Sequence, residues 1–149
     1  MARTQFEELK VYQLAEQLAD AVWIIAKGWP VFARNTLGNQ LVRAVDSIGA
    51  NIAEGSGRGS FGDNRRFTKI ARGSLYETQH WLRRAFKRGL LEPDDVSKLK
   101  LLIDELGPRL NAYLTSIGPK NPLRPGRSDA VRDGDSLQMT KDQGQRTKD

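Results

Sequence analysis

Apolar residues recur at three- and four-residue intervals in four separate stretches of the chain, and each stretch predicts an amphipathic helix. Capping residues and glycine or proline stops predict where these helices begin and end. The predicted helices run from Thr4 to Lys27, from Arg34 to Glu54, from Ser60 to Arg88 and from Pro93 to Ile117. No stretch of useful length alternates in the manner of a strand.

This pattern predicts an all-α fold, and the short connections favour an up-down-up-down antiparallel four-helix bundle over residues 1–118. The predicted core faces include Trp23 in the first helix and Ile70 and Trp81 in the third. Pro108 falls inside the last helix, where we expect a kink or a break because proline removes a backbone donor. Residues 119–149 have too few apolar positions to build a core and are predicted to be a disordered tail.

Composition narrows the class of protein. The chain has 149 residues, a formal net charge of +6 and no cysteine, which excludes disulfides and thiolate metal sites. The N-terminus has no apolar signal core and no stretch is long enough to span a membrane, so we expect a cytoplasmic protein without a membrane partner. A basic chain favours an anionic partner.

The positive charge is concentrated on the third predicted helix. Seven of its residues follow one another at steps of three or four, which places them on one face, and we call this face the basic stripe: Arg65, Lys69, Arg72, Tyr76, His80, Arg83 and Lys87. Its cations would contact phosphates, and its aromatic and imidazole rings would stack or donate hydrogen bonds. The alternative is a solvated face, but such faces usually mix charges of both signs.

A second polar stripe follows the second predicted helix and has neighbours on the third. Its short hydrogen-bonding side chains predict a contact with another helix or another subunit, and the alternative is a solvated surface. This polar stripe comprises Gln40, Arg43, Ser47, Asn51 and Glu54, with Ser74 and Glu77 as its expected partners on the third helix.

The loop between these helices contains the pattern G-x-G-x-x-G at residues 57–62. A dinucleotide site needs this pattern between a strand and a helix, whereas the preceding segment has helical periodicity. We therefore interpret it as a turn. Arg58 and the free amides at the start of the next helix leave a phosphate contact as an alternative.

Catalytic and metal sites are not indicated. His80 is the only histidine, and a single imidazole cannot supply a metal cluster. Glu54 and Glu77 could meet as a carboxylate pair, but the sequence indicates no partner base, and a hydrogen-bonded cluster with the polar stripe is the better interpretation. We expect no cofactor, no metal and no enzymatic activity.

Several of these residues resemble one known family. The blocks that carry the resemblance are Gln40-Leu41, Arg43-Ala44, Ser47-Ile48, residues 51–55 (NIAEG), Gly57-Arg58, Phe67, Ile70-Ala71, residues 73–75 (GSL) and Glu77, with Phe6-Glu7-Glu8-Leu9 and Val11-Tyr12 near the start. Over about residues 6–117 the sequence resembles the bacterial four-helix-bundle proteins, also called 23S ribosomal RNA intervening-sequence proteins.

The resemblance implies a helical bundle that assembles as a ring-like homopentamer. The family is similar in shape to the accessory variability determinant of diversity-generating retroelements, a basic pentamer that binds reverse transcriptase and nucleic acid. We therefore predict a non-enzymatic RNA- or DNA-binding oligomer. The alternative is a scaffold whose basic face docks an acidic protein such as a reverse transcriptase.

Overall fold

The computed structural model describes residues 5–119, which contain helices and connecting turns and no strand. A short 3-10 turn, Gln5–Glu8, precedes the first long helix. The four long helices are α1 (Lys10–Lys27), α2 (Asn39–Ser56), α3 (Phe61–Lys87) and α4 (Pro93–Ser116). The predicted cap at Thr4 and residues 120–149 of the predicted tail lie outside the described residues.

Local sequence sets the ends of α3 and α4 as predicted. The Ser60 hydroxyl accepts a hydrogen bond from the Asp63 amide at 3.2 Å, which caps the first turn of α3. After Lys87 the chain leaves the helix through Gly89, whose φ of 72° suits glycine. Pro93 occupies the first turn of α4, where a missing backbone donor costs nothing.

The second helix begins differently from the prediction, which placed its start at Arg34. A single helical turn, Val31–Ala33, and a π-helical segment, Arg34–Gly38, lead into α2. Two side chains donate to carbonyl oxygens four residues earlier, Thr36 to Phe32 at 2.7 Å and Asn39 to Asn35 at 2.8 Å. These bonds supply donors to carbonyls in the segment where the wider π turn interrupts the regular helical ladder.

Each long helix packs on two others: α1 on α2 and α4, and α3 on α2 and α4. Their inward faces form one hydrophobic core that excludes water. Its largest fully buried apolar side chains are Leu14, Leu18, Val22, Leu41, Val45, Ile48, Ile52, Leu106 and Leu110.

Close packing between α2 and α3 depends on small residues. A Cβ atom on Gly55 would lie 2.8 Å from Asn64 Oδ1 and 2.9 Å from Phe67 Cβ, so only glycine allows this approach.

On α3 the buried hydroxyls of Thr68 and Thr78 donate to carbonyls one turn earlier at 2.7 and 2.8 Å. Their burial therefore leaves no unsatisfied donor.

Two residues assigned to core faces are exposed, and those predictions were wrong. Trp23 is 58% exposed and Ile70 is 43% exposed. Trp23 follows the fully buried Val22, and Ile70 precedes the fully buried Ala71. A shift of one residue along a helix turns the side chain by about 100° around the helix axis. Apolar character therefore extends beyond the buried face of both helices.

Helix α4 continues through Pro108 without a break, which corrects that half of the prediction. Leu106 and Leu110 on either side of the proline are fully buried and hold the adjacent turns against the core. Their packing offsets the loss of one backbone hydrogen bond.

Candidate functional site

The segment from Arg58 to Arg88 carries nine cationic side chains and two carboxylates, so it holds more positive charge than the net charge of the whole chain. Most of it is α3, the longest helix of the described residues. Charge of one sign on a single helix raises the local concentration of anionic ligands and accelerates their association.

The basic stripe lies on the surface of α3. At 100° per residue its seven members fall within a sector of about 80° around the helix. Arg65, Lys69, Tyr76, His80 and Lys87 are exposed, and Arg72 and Arg83 are half-buried. The sequence pattern therefore identified a real surface of the folded chain.

Two arginines of the stripe are held in place by α4 and the residue that follows it. Arg65 Nη1 donates to the Ile117 carbonyl oxygen at 3.0 Å, and Arg72 Nη1 donates to Asn111 Oδ1 at 3.4 Å. Both acceptors are uncharged. These contacts orient the guanidinium groups and leave their positive charge available to a ligand.

The charges of the stripe are not neutralised within residues 5–119, where its five cations lie more than 4.0 Å from any carboxylate oxygen. The ion pairs of that range involve other side chains, such as Lys100 with Asp104 at 2.9 Å and Arg109 with Glu105 at 3.3 Å. The stripe therefore differs from an ordinary mixed helix surface.

Arg58, which the sequence offered as an alternative phosphate contact beside the start of α3, has a different environment from the basic stripe. Its Nη2 lies 2.6 Å from Glu54 Oε1, so its charge is partly compensated. The guanidinium carbons of Arg58 and Arg66 lie 4.8 and 4.7 Å from the centre of the Phe67 ring. This cation–π cluster fixes the loop against the start of α3.

Part of the polar stripe lies at the contact between α2 and α3. The hydroxyl oxygens of Ser47 and Ser74 are 2.8 Å apart, and Asn51 Nδ2 donates to Ser47 at both the carbonyl oxygen (2.8 Å) and Oγ (2.9 Å). The structure thus brings these three residues together between helices. Gln40 and Arg43 are exposed.

Glu54 and Glu77 are exposed, and each contacts a neighbour in its own segment. Glu54 pairs with Arg58, and Glu77 Oε1 accepts a hydrogen bond from Trp81 Nε1 at 3.2 Å. Neither glutamate belongs to the cluster of Ser47, Asn51 and Ser74, which departs from the expectation that they would share it.

Negative charge collects on α1 and the adjoining surface of α2. Burial and the nearby Asp20 carboxylate raise the pKa of Asp46 above its ordinary value. Burial, together with a hydrogen bond to Glu16, raises the pKa of Tyr12. A cleft of about 420 Å³, lined by Glu7, Tyr12, Gln13, Glu16 and Gln17, lies on this acidic surface. The carboxylates of Glu7 and Glu16 give the lining of this cleft its acidic character.

The exposure of four large apolar side chains was not anticipated from the sequence. They are Trp23 and Ile24 at the end of α1 and Val31 and Phe32 in the following turn, and Phe32 is 81% exposed. The sequence did contain an indication of this exposure, since Trp23-Ile24 and Val31-Phe32 are adjacent apolar pairs. A helix cannot bury two consecutive residues on one narrow face.

Within residues 5–119, no group of three or more histidine, cysteine or carboxylate side chains is placed to hold a metal ion. None of the described helices combines the length and the apolar character that crossing a membrane requires.

The four helices and the basic stripe define a class of small helical bundle with one strongly cationic helix. The model of the 23S rRNA-intervening sequence protein family matches residues 7–112, and the chain belongs to that family. This confirms the family inferred from the sequence blocks. No curated protein matched the chain.

A solved structure with a similar fold is that of a protein of unknown function from the S23 ribosomal protein family of Bacteroides thetaiotaomicron. The two chains are 22% identical with a TM-score of 0.63, and the match covers 71% of this chain and 99% of the other. At this level of identity the likeness establishes the shared helical fold.

Proposed function

We propose that this protein is a non-enzymatic, cytoplasmic nucleic-acid-binding protein that contacts phosphates through the basic stripe of α3. The observation that carries the proposal is the lack of compensating carboxylates around the five cations of the stripe within the described residues. Phosphates would replace the missing counter-charges and release bound salt ions. The family description, which refers to ribosomal RNA, makes RNA the first probe.

We also propose that the four long helices are arranged up-down-up-down, so that neighbouring helices are antiparallel. Contacts between α2 and α3 support it, because Ser47 meets Ser74 while Gly55, later in α2, meets Phe67, earlier in α3. Between α3 and α4, Arg65 meets Ile117 and Arg72 meets Asn111 in the same reversed order. Both pairs of contacts are typical of antiparallel neighbours.

We also propose that the chain assembles as a homopentamer, as the family resemblance implies. A ring would repeat the basic stripe around one particle and increase affinity through simultaneous contacts. Light scattering coupled to size exclusion should give a particle of five times the 16.7 kDa chain mass. A monomer across the working concentration range contradicts this part of the proposal.

Fluorescence anisotropy of labelled RNA and DNA across a salt series tests the binding function. The stripe variant changes Arg65, Lys69, Arg72, Arg83 and Lys87 to glutamine. A charge-matched control changes five exposed cations elsewhere, namely Lys10, Lys27, Arg34, Lys98 and Lys100. Wild type should bind with an affinity that falls as salt rises, the stripe variant should lose binding, and the control should retain most of it.

Each glutamine removes up to one phosphate contact, and each contact contributes about 0.7–0.9 to the slope of log affinity against log salt. The stripe variant should therefore show a much shallower slope than the control. If both variants lost binding affinity equally, net charge would account for the binding, and the stripe would not be the site.

The exposed apolar side chains of Trp23, Ile24, Val31 and Phe32 favour a second candidate, a scaffold for a protein partner. In that case the basic stripe docks an acidic protein such as a reverse transcriptase. Binding of a purified reverse transcriptase that the stripe variant loses, together with weak RNA and DNA binding by wild type, would favour the scaffold.

A further inference from the structure

Exposed aromatic rings lie on the cationic side of α3. Phe61, Tyr76 and Phe86 are each more than half exposed. At 100° per residue they fall within about 80° of one another around the helix, and their sector overlaps that of the basic stripe. Aromatic rings are usually buried because they contribute large apolar areas to a core. Three of them among cations require another explanation.

Tyr76 lies in the middle of the stripe. Arg72 is one turn before it and His80 is one turn after it, at the spacing of adjacent side chains on a helix. Arg72 is tied to Asn111 and the His80 ring packs edge-on against Trp81 at 4.7 Å, so both neighbours have defined contacts of their own. The Tyr76 ring, which is 51% exposed, is left with an open face.

We infer that the basic stripe takes an unpaired strand of nucleic acid, with Tyr76 as a surface on which a base stacks; this inference rests on the proposed function. In a duplex the faces of the bases are covered by their neighbours, so a protein ring can reach them only in an unpaired strand. Aromatic rings set along a positively charged track are the common feature of proteins that bind single strands with little sequence preference.

The arrangement is less suited to docking another helix. A helix-docking face is apolar at three- and four-residue spacing along its length, whereas Arg65, Lys69 and Arg72 separate Phe61 from Tyr76 on this side of α3. A duplex would engage the cations through its phosphates and gain nothing from the rings.

The test compares one fluorescein-labelled RNA of about 20 nucleotides, without self-complementarity, with the same RNA annealed to its complement. The basic stripe extends from Arg65 to Lys87, which is about 33 Å along the helix. At 3.4 Å per base along one strand, this RNA is about twice as long as the stripe. Wild type, Y76L and Y76F are titrated at one fixed salt concentration. Leucine keeps the apolar volume and removes the aromatic face, whereas phenylalanine keeps the face. Circular dichroism and particle mass are checked for each variant.

Wild type should prefer the single strand by at least about fivefold, the lower bound for one stacked base. Y76L should lose that preference and keep its affinity for the duplex, while Y76F should retain the preference. F86L supplies a second variant and should reduce single-strand affinity in the same direction. Equal affinity of wild type for strand and duplex overturns the inference but leaves the proposed function standing. Binding of neither form at low salt overturns the proposed function, and this inference with it.

Discussion

The hydroxyl oxygens of Ser47 and Ser74 lie 2.8 Å apart and join the middle of α2 to the middle of α3. Asn51 supports the pair from one turn further along α2. The buried contact between the two helices therefore includes a small hydrogen-bonded group as well as apolar packing, and this group accounts for part of the polar stripe seen in the sequence.

Removing one hydroxyl of this pair should destabilise the fold by about 0.5–1.5 kcal/mol, the usual net value of a partly buried hydrogen bond. S74A leaves the Ser47 hydroxyl without its interhelical partner. The double variant S47A/S74A should cost less than the sum of the two single changes, because both remove the same bond. Urea denaturation of the three variants measures the coupling, and strict additivity would show that the two hydroxyls do not interact.

Two glycines provide a matched test of close packing. G55A should destabilise by about 1–3 kcal/mol, because its Cβ would crowd the Phe67 Cβ and the Asn64 backbone. Gly73 lies in the interior of α3, and apart from its chain neighbours and the local helix backbone no atom lies within 4 Å of the Cβ that G73A would add. G73A should stabilise by about 0.5–1 kcal/mol, since alanine restricts the unfolded chain more than glycine does.

Thermal melting of both glycine variants, at equal particle mass, gives the comparison. If G73A destabilises the assembled particle but leaves a dissociated chain unaffected, another subunit packs against that position. If G55A is neutral, the close approach between α2 and α3 is not required for stability.

Asp46 should make stability depend on pH in a specific direction. Its pKa is raised by burial and by Asp20, so the folded chain favours the protonated form more than the unfolded chain does. Ionisation of Asp46 therefore destabilises the fold as pH rises through that pKa, and the penalty is fully present at neutral pH.

D46N should accordingly be more stable than wild type at pH 7, and the difference should disappear below the ordinary aspartate pKa of about 3.9. Denaturation midpoints between those two pH values measure the effect. D20N/D46N should gain less than the two single variants combined, because both relieve one repulsion. A gain for D46N that does not change with pH would point to packing instead of charge.

Replacing Pro108 or Pro93 by alanine tests how the position of a proline in α4 affects stability. P108A restores a backbone donor in the interior of the helix and should stabilise by about 1–3 kcal/mol. P93A changes the first turn, where the donor has no helical partner, and should have a much smaller effect. Comparison of the two denaturation midpoints decides the matter. A destabilised P108A would mean that the proline ring makes packing contacts worth more than the missing bond.

Much of the fold was predictable because its determinants are local. The Ser60 cap, Gly89 after α3 and Pro93 at the start of α4 act within one helical turn, and the structure places them as the sequence indicated. The angular position of the basic stripe was also predictable, because helical periodicity alone fixes it.

Features that depend on several helices at once were not predictable in the same way. Whether Trp23 or Ile70 is buried depends on how far each helix is rotated against its neighbours, which no single stretch of sequence specifies. The continuity of α4 through Pro108 depends on packing of Leu106 and Leu110 against the core. Glu54 pairs with Arg58 in its own segment and not with the residues of α3, because closing a contact over four residues costs little chain entropy.

The three tryptophans occupy three different environments, and this gives the chain an intrinsic optical reporter. Trp29 is buried and its indole nitrogen donates to the Leu90 carbonyl oxygen at 2.9 Å, Trp81 is half-buried, and Trp23 is exposed. A collisional quencher such as acrylamide should therefore extinguish Trp23 emission first and Trp29 emission last. Any subunit or partner that covers the end of α1 would shield Trp23 and shift its emission to shorter wavelength, so assembly can be followed without an attached dye.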